Sequence, residues 1–186
     1  MGHKRILGKT IDYITGREIT DTDDERYRQK LARFLVEEKG YAREEIESKR
    51  RLEMTIGNKR VLSMVDFVVK VEGKAFLAIR YGPGSLVTRE RPALALARIL
   101  ENYLVPFTVV TNGEDAEVLD TFSGSVIGTG IDALPHRSAA VEQLRNIKFH
   151  HLPVKQLEAE QRILSAYDWL EHSLECDENW CENEPE

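Results

Sequence analysis

Residues 57–84, GNKRVLSMVDFVVKVEGKAFLAIRYGPG, decide the fold of this chain. Two β-rich apolar runs, residues 61–71 and 75–81, flank the tight turn Glu72-Gly73 and read as a hairpin. An acid, Asp66, lies inside the first run, and a cation, Arg80, lies near the end of the second. Side chains alternate along adjacent antiparallel strands, so both groups are expected at one edge of a sheet. An acid and a cation so placed are suited to a divalent ion beside a phosphate. The competing reading is an inert ion pair between Asp66 and Arg80 across the strands.

Working outward, Gly57-Asn58 is a second hairpin turn, which pairs residues 61–71 with a preceding run around residues 46–56. That makes a three-stranded meander. Gly82-Pro83-Gly84 ends the third strand, and residues 86–103 read as a helix with Ala93, Leu94, Leu96, Ala97, Leu100 and Leu104 on its apolar side. Residues 105–111, VPFTVVT, are nearly all apolar and suit a strand buried on both faces. A helix between two strands is a crossover, so strands 75–81 and 105–111 are expected to be parallel. Asn112-Gly113 turns the chain back along residues 116–122. The glycine-rich SGSVIGTG that follows reads as irregular.

Upstream, residues 10–22 read as two short strands about Thr15-Gly16, followed by a helix start. Thr20, Asp21 and Thr22 are candidate N-caps, and Asp23, Asp24 and Glu25 favour the positive helix end. Tyr27, Leu31, Phe34 and Leu35 recur at helical spacing as far as Lys39, and Gly40 supplies the stop. Downstream, a helix is expected from Leu134-Pro135 to about Asn146, and a final amphipathic one from about Val154 to Leu174. The whole is an α/β fold, a mixed sheet with helices on both faces. Residues 1–150 form one domain and residues 151–186 a C-terminal helix with an acidic tail.

Composition narrows the function classes. The 186 residues are 41% hydrophobic and 31% charged, as in a soluble globular protein. No apolar run is long enough for a membrane span, and MGHKRILGK lacks the apolar core of a signal peptide, so a cytoplasmic protein with no membrane partner is expected. The net charge of −6 is uneven. Residues 1–154 carry 24 Lys and Arg against 22 Asp and Glu, a balance of +2, whereas residues 155–186 carry 2 against 10, a balance of −8. A slightly basic body permits nucleic-acid binding without demanding it. Cys176 and Cys181 lie together in the tail, and with His172 fall short of the familiar zinc spacings.

YITGREITDTDDERYRQKLARFLVEEKGYAREEIE, VDFVVKVEGKAFLAIR and VPFTVVTNG together resemble the N-terminal domain of type I restriction enzyme R proteins, over about residues 13–122. That family belongs to the PD-(D/E)XK nuclease superfamily, which implies an αβββαβ core, a restriction-endonuclease-like fold and, where active, Mg²⁺-dependent DNA cleavage. The resemblance makes Asp66 the metal-binding aspartate and Glu25 the helix-borne acid. The Glu-x-Lys motif falls on Ala78-Ile79-Arg80, so its acid is lost and its lysine has become arginine. The Gln-x-x-x-Tyr element is missing as well, since no glutamine lies between Tyr81 and Pro106. No GxxxxGK[ST] loop is present, so the translocating motor of type I subunits is not expected in this chain.

The catalytic candidates are therefore Asp66, Arg80, Glu25 and Glu90. Glu90 is the acid through which a relocated metal site with Asp66 would form on the following helix. Arg80 cannot act as a base but can clamp a phosphate. Lys49, Arg50, Arg51, Lys59 and Arg60 form the densest basic patch, either a phosphate-binding surface or a solvated strand edge. Three readings stay open: a catalytically degraded nuclease fold binding nucleic acid or a protein, an active Mg²⁺-dependent DNA endonuclease, and a structural or regulatory module away from nucleic acid. Tyr167, Trp169 and Leu170 read as the docking face of the last helix, with a homodimer through that helix as the alternative.

Overall fold

The computed structural model describes residues 5–57 and 59–174, the side chains of Lys59 and residues 169–174 excepted. Cys176 and Cys181, and the side chains of Trp169, Leu170 and His172, lie outside the described residues. A hairpin of β1 (Ile6–Ile11) and β2 (Glu18–Thr22) leads into α1 (Asp23–Arg33). Three long strands follow, β3 (Ile46–Ile56), β4 (Lys59–Val71) and β5 (Lys74–Tyr81), then α2 (Val87–Ile99), β6 (Phe107–Thr111), β7 (Ala116–Asp120) and β8 (Val126–Thr129). Helices α3 (Arg137–Asn146) and α4 (Val154–Leu174) close the described chain. No described helix is long and apolar enough to cross a membrane.

The large sheet is six-stranded in simple chain order from β3 to β8. Every neighbouring pair is antiparallel except β5 and β6, which α2 joins by the expected crossover and which run parallel. The β4–β5 turn holds Glu72 at φ +50° and Gly73 at φ +79°, both in the left-handed region. Two consecutive positive φ angles match the twist of the flanking strands, which locks this hairpin's register.

Two apolar layers sandwich the sheet. Phe67 and Val69 of β4, with Leu77 and Ile79 of β5, pack against Leu31, Ala32 and Leu35 of the first helix and Ala140 and Leu144 of α3. On the other face, Val65, Val68 and Ala78 pack against Ala95, Leu96 and Ala97 of α2 and Leu164 of α4. Val65 and Phe67 are two residues apart yet serve opposite layers. The strand therefore changes face at Asp66.

Three expectations are corrected. The first helix stops being α-helical at Arg33 and continues as a π-helical turn, Phe34–Glu38, in which the Lys39 amide bonds to the Phe34 carbonyl at 3.0 Å. The second helix ends at Ile99, short of Tyr103. SGSVIGTG is not wholly irregular, because Val126–Thr129 forms the edge strand β8 against β7. Gly128 is needed there, since a Cβ would come within 2.9 Å of the Ala133 Cβ. A glycine that reads as a strand breaker in fact permits a close approach.

Candidate functional site

The sequence places Glu25, Arg28 and Gln29 on one face of α1, three and four residues apart. Thr22 caps that helix, its hydroxyl accepting from the Glu25 amide at 3.1 Å. The face lies over β3 and β4, where Asp66 and Glu25 are both buried. The Arg28 Nε donates to Asp66 Oδ1, and the Tyr81 backbone N–H donates to Asp66 Oδ2 at 2.7 Å. Burial disfavours the Arg28 cation, but the charge and hydrogen bond of Asp66, with Glu25 and Asp24 behind, outweigh it and raise its pKa. Asp66 thus has both carboxylate oxygens engaged by the protein.

Glu25 is satisfied in the same way. Its Oε2 lies 2.7 Å from the Lys49 Nζ, and its Oε1 accepts from Gln29 Nε2 at 2.8 Å. Gln29 also donates to Asp12 Oδ2 at 3.1 Å, while its oxygen accepts from the Tyr13 amide at 2.6 Å. Asp12 is buried and caps its own turn through the Ile14 and Thr15 amides. Burial pushes the Asp12 carboxyl up, yet the Thr15 amide, Gln29, the Thr15 hydroxyl and the Ile14 amide together hold it below the usual range. The Tyr81 ring stacks on Tyr27 with centroids 5.9 Å apart and carries the Arg28 guanidinium 5.1 Å from its centre. The Tyr81 hydroxyl donates to Asp24 at 3.1 Å. Burial, then the Asp24 carboxylate, pushes that phenol up, so it stays a donor.

Lys49 reaches this centre through an unusual backbone. It stands inside β3 at φ +51°, a conformation costing a non-glycine residue about 1 kcal/mol. The ladder pairs Ser48 with Phe67 and Arg50 with Val65, leaving Lys49 and Asp66 between them at the place where β4 changes face. One local irregularity turns both the lysine and the aspartate toward α1. Strain held in place by its surroundings is a mark of functional centres.

The remaining candidates lie elsewhere. Ala78 belongs to the apolar layer beneath α2. Arg80, on the same strand, donates to Asp168 of α4 at 3.0 Å. The inert Asp66–Arg80 pair therefore gives way to two separate pairs, Asp66 with Arg28 and Arg80 with Asp168. Glu90 faces Glu117 of β7, whose carboxyl is raised by burial and then by the Glu90 charge. Of the basic patch, Lys49 is turned inward, and Arg50 bonds Glu101 at 2.6 Å and Glu47 at 3.3 Å. Arg51 and Arg60 are exposed. Lys59 pairs with Ile56 on the ladder, and its side chain is not described. The five do not form one surface.

The donor set around Asp66, as arranged, does not fit Mg²⁺. That ion needs oxygen ligands in near-octahedral geometry, whereas Asp66 and Glu25 already face two cations, an amide and Gln29. Among the described residues, no group of three or more His, Cys, Asp or Glu side chains is arranged to hold a metal ion.

Arg28 and Gln29 were legible as the i+3 and i+4 neighbours of Glu25, although composition and motif reading passed over them. Asp168, 88 residues from Arg80, left no local signal. No curated protein and no solved structure matches the chain. The profile of the type I restriction enzyme R protein N terminus matches residues 23–135. That span holds α1, the three-strand meander, the crossover and the whole Glu25–Arg28–Asp66 cluster, more than half of the chain, and the chain belongs to this family.

Proposed function

We propose that this domain is a catalytically degraded nuclease fold that binds nucleic acid. Its ancestral metal-binding carboxylates are neutralised from within, so the centre serves as a rigid polar core and not as a hydrolytic site. The observation that carries this reading is the engagement of both Asp66 oxygens, by Arg28 and by the Tyr81 amide, with alanine at position 78. A cation lodged against the aspartate does the electrostatic work that a divalent ion would otherwise do. Arg51 and Arg60, exposed on adjoining strands, are the residues of the original basic patch with described side chains open to a phosphate backbone.

The test is fluorescence-anisotropy binding to duplex and single-stranded DNA over a range of salt. Binding should weaken steeply with salt, with a log–log slope that loses about 0.9 per phosphate contact removed on the duplex. Arg51→Gln/Arg60→Gln should therefore flatten the slope by about two and weaken binding to all sequences alike. Absence of binding by the wild type at low salt would sink the nucleic-acid reading and favour a protein-binding module.

A further inference from the structure

The side of α4 that touches the protein is acidic. Among its described side chains, residues 154–168, the buried ones are Glu160, Leu164 and Asp168, spaced four residues apart on one face. Two of those three are carboxylates, while Val154 and Tyr167 remain exposed. Each carboxylate meets arginine. Glu160 Oε1 accepts from Arg98 at 2.8 Å, and its Oε2 lies 2.6 Å from Arg91. Asp168 Oδ1 accepts from Arg80 at 3.0 Å. Arg91 and Arg98 are seven residues apart on α2, hence on one side of it, and Arg80 comes from the adjacent strand β5.

The fit is incomplete. Asp168 Oδ2 is buried without a hydrogen-bond partner, and Arg91 and Glu160 Oε2 are close without the alignment of a hydrogen bond. Buried ion pairs roughly break even against the cost of desolvating them. Beside these pairs, the buried Leu164 and the partly buried Ile163 supply the apolar contact of α4 with the layer beneath α2. Guanidinium groups accept phosphate as readily as carboxylate, through the same planar fork.

We infer that Arg80, Arg91 and Arg98 form a phosphodiester-binding face, and that α4 is a displaceable acidic cover which occupies it in place of nucleic acid. The inference rests on the nucleic-acid reading above and names a second surface and its control. The stretch after α4 carries the same sign of charge, with six Asp and Glu and no Lys or Arg over residues 175–186. Once α4 leaves, three cations on adjoining elements face a phosphate backbone.

Two measurements on the full chain test it, with oligothymidylate as the probe. Hydrogen exchange of the wild type, with and without the oligonucleotide at low salt, should show the amides of residues 154–168 losing protection when it binds. Glu160→Gln/Asp168→Asn, checked for a retained near-ultraviolet circular dichroism spectrum, should bind about tenfold tighter, since less of the protein sits in the covered state. Unchanged α4 protection in the bound wild type, or equal affinity of the two proteins, overturns the cover and leaves the nucleic-acid reading standing. Failure of both proteins to bind overturns both.

Discussion

At the scale of single residues, Arg28 carries the heaviest duty. Its side chain is 15% exposed and that of Asp66 4%, so removing either partner strands a charge in a poorly solvated place. Arg28→Ala should cost about 3 kcal/mol by urea denaturation, while Arg28→Ala/Asp66→Ala should cost clearly less than the sum of the single changes. Additive losses would mean that the two side chains do not act as a pair. Protonation supplies a second handle. Asp12, Glu45 and Glu47 all have folded-state pKa values below their ordinary ones. Each therefore contributes stability above its unfolded pKa, and that stability drains away as pH falls through the lowered folded value. Thermal melting should drop as pH falls below about 4. Glu117 runs the other way, because burial and Glu90 raise its folded pKa above 4.5. Its contribution is favourable below that unfolded value and is lost as pH rises through the folded one. Glu117→Gln should raise the melting temperature at neutral pH and leave it nearly unchanged in acid.

At the scale of elements, local chemistry told most of what local chemistry can tell. The hairpin at Glu72-Gly73, the cap at Thr22 and the last helix from Val154 to Leu174 all stand where turn and capping residues put them. Thr22→Ala should cost about 1 kcal/mol, the usual loss for an N-cap hydroxyl. Glu72→Asn should stabilise by a few tenths of a kcal/mol, since asparagine tolerates the left-handed conformation that glutamate is forced into. What escaped was non-local. The face of Asp66 depends on the positive φ of Lys49 in the neighbouring strand, and alternation alone points Asp66 at Arg80. The strand β8 escaped because its glycine is dictated by Ala133 and not by a turn. The partners Arg28 and Asp168 lie 38 and 88 residues from Asp66 and Arg80, beyond any sequence window.

At the scale of the whole molecule, the sheet separates two polar systems that a Glu-x-Lys motif would have joined. Asp66 is bound up with α1 on one side, and Arg80 with α4 on the other, with Ala78 buried in the apolar layer near Arg80. The fold was readable from the order of strands and crossover and the family from the resemblance of residues 13–122, whereas the fate of the site depended on which helix each charge faces. The most direct measurement is cleavage of plasmid and single-stranded DNA across a titration of Mg²⁺ and Mn²⁺, comparing wild type with Asp66→Ala. Internal neutralisation of Asp66 predicts no metal-dependent cleavage by either protein. Cleavage that requires metal and disappears in Asp66→Ala would contradict it, and would mean that Arg28 yields its place to the ion.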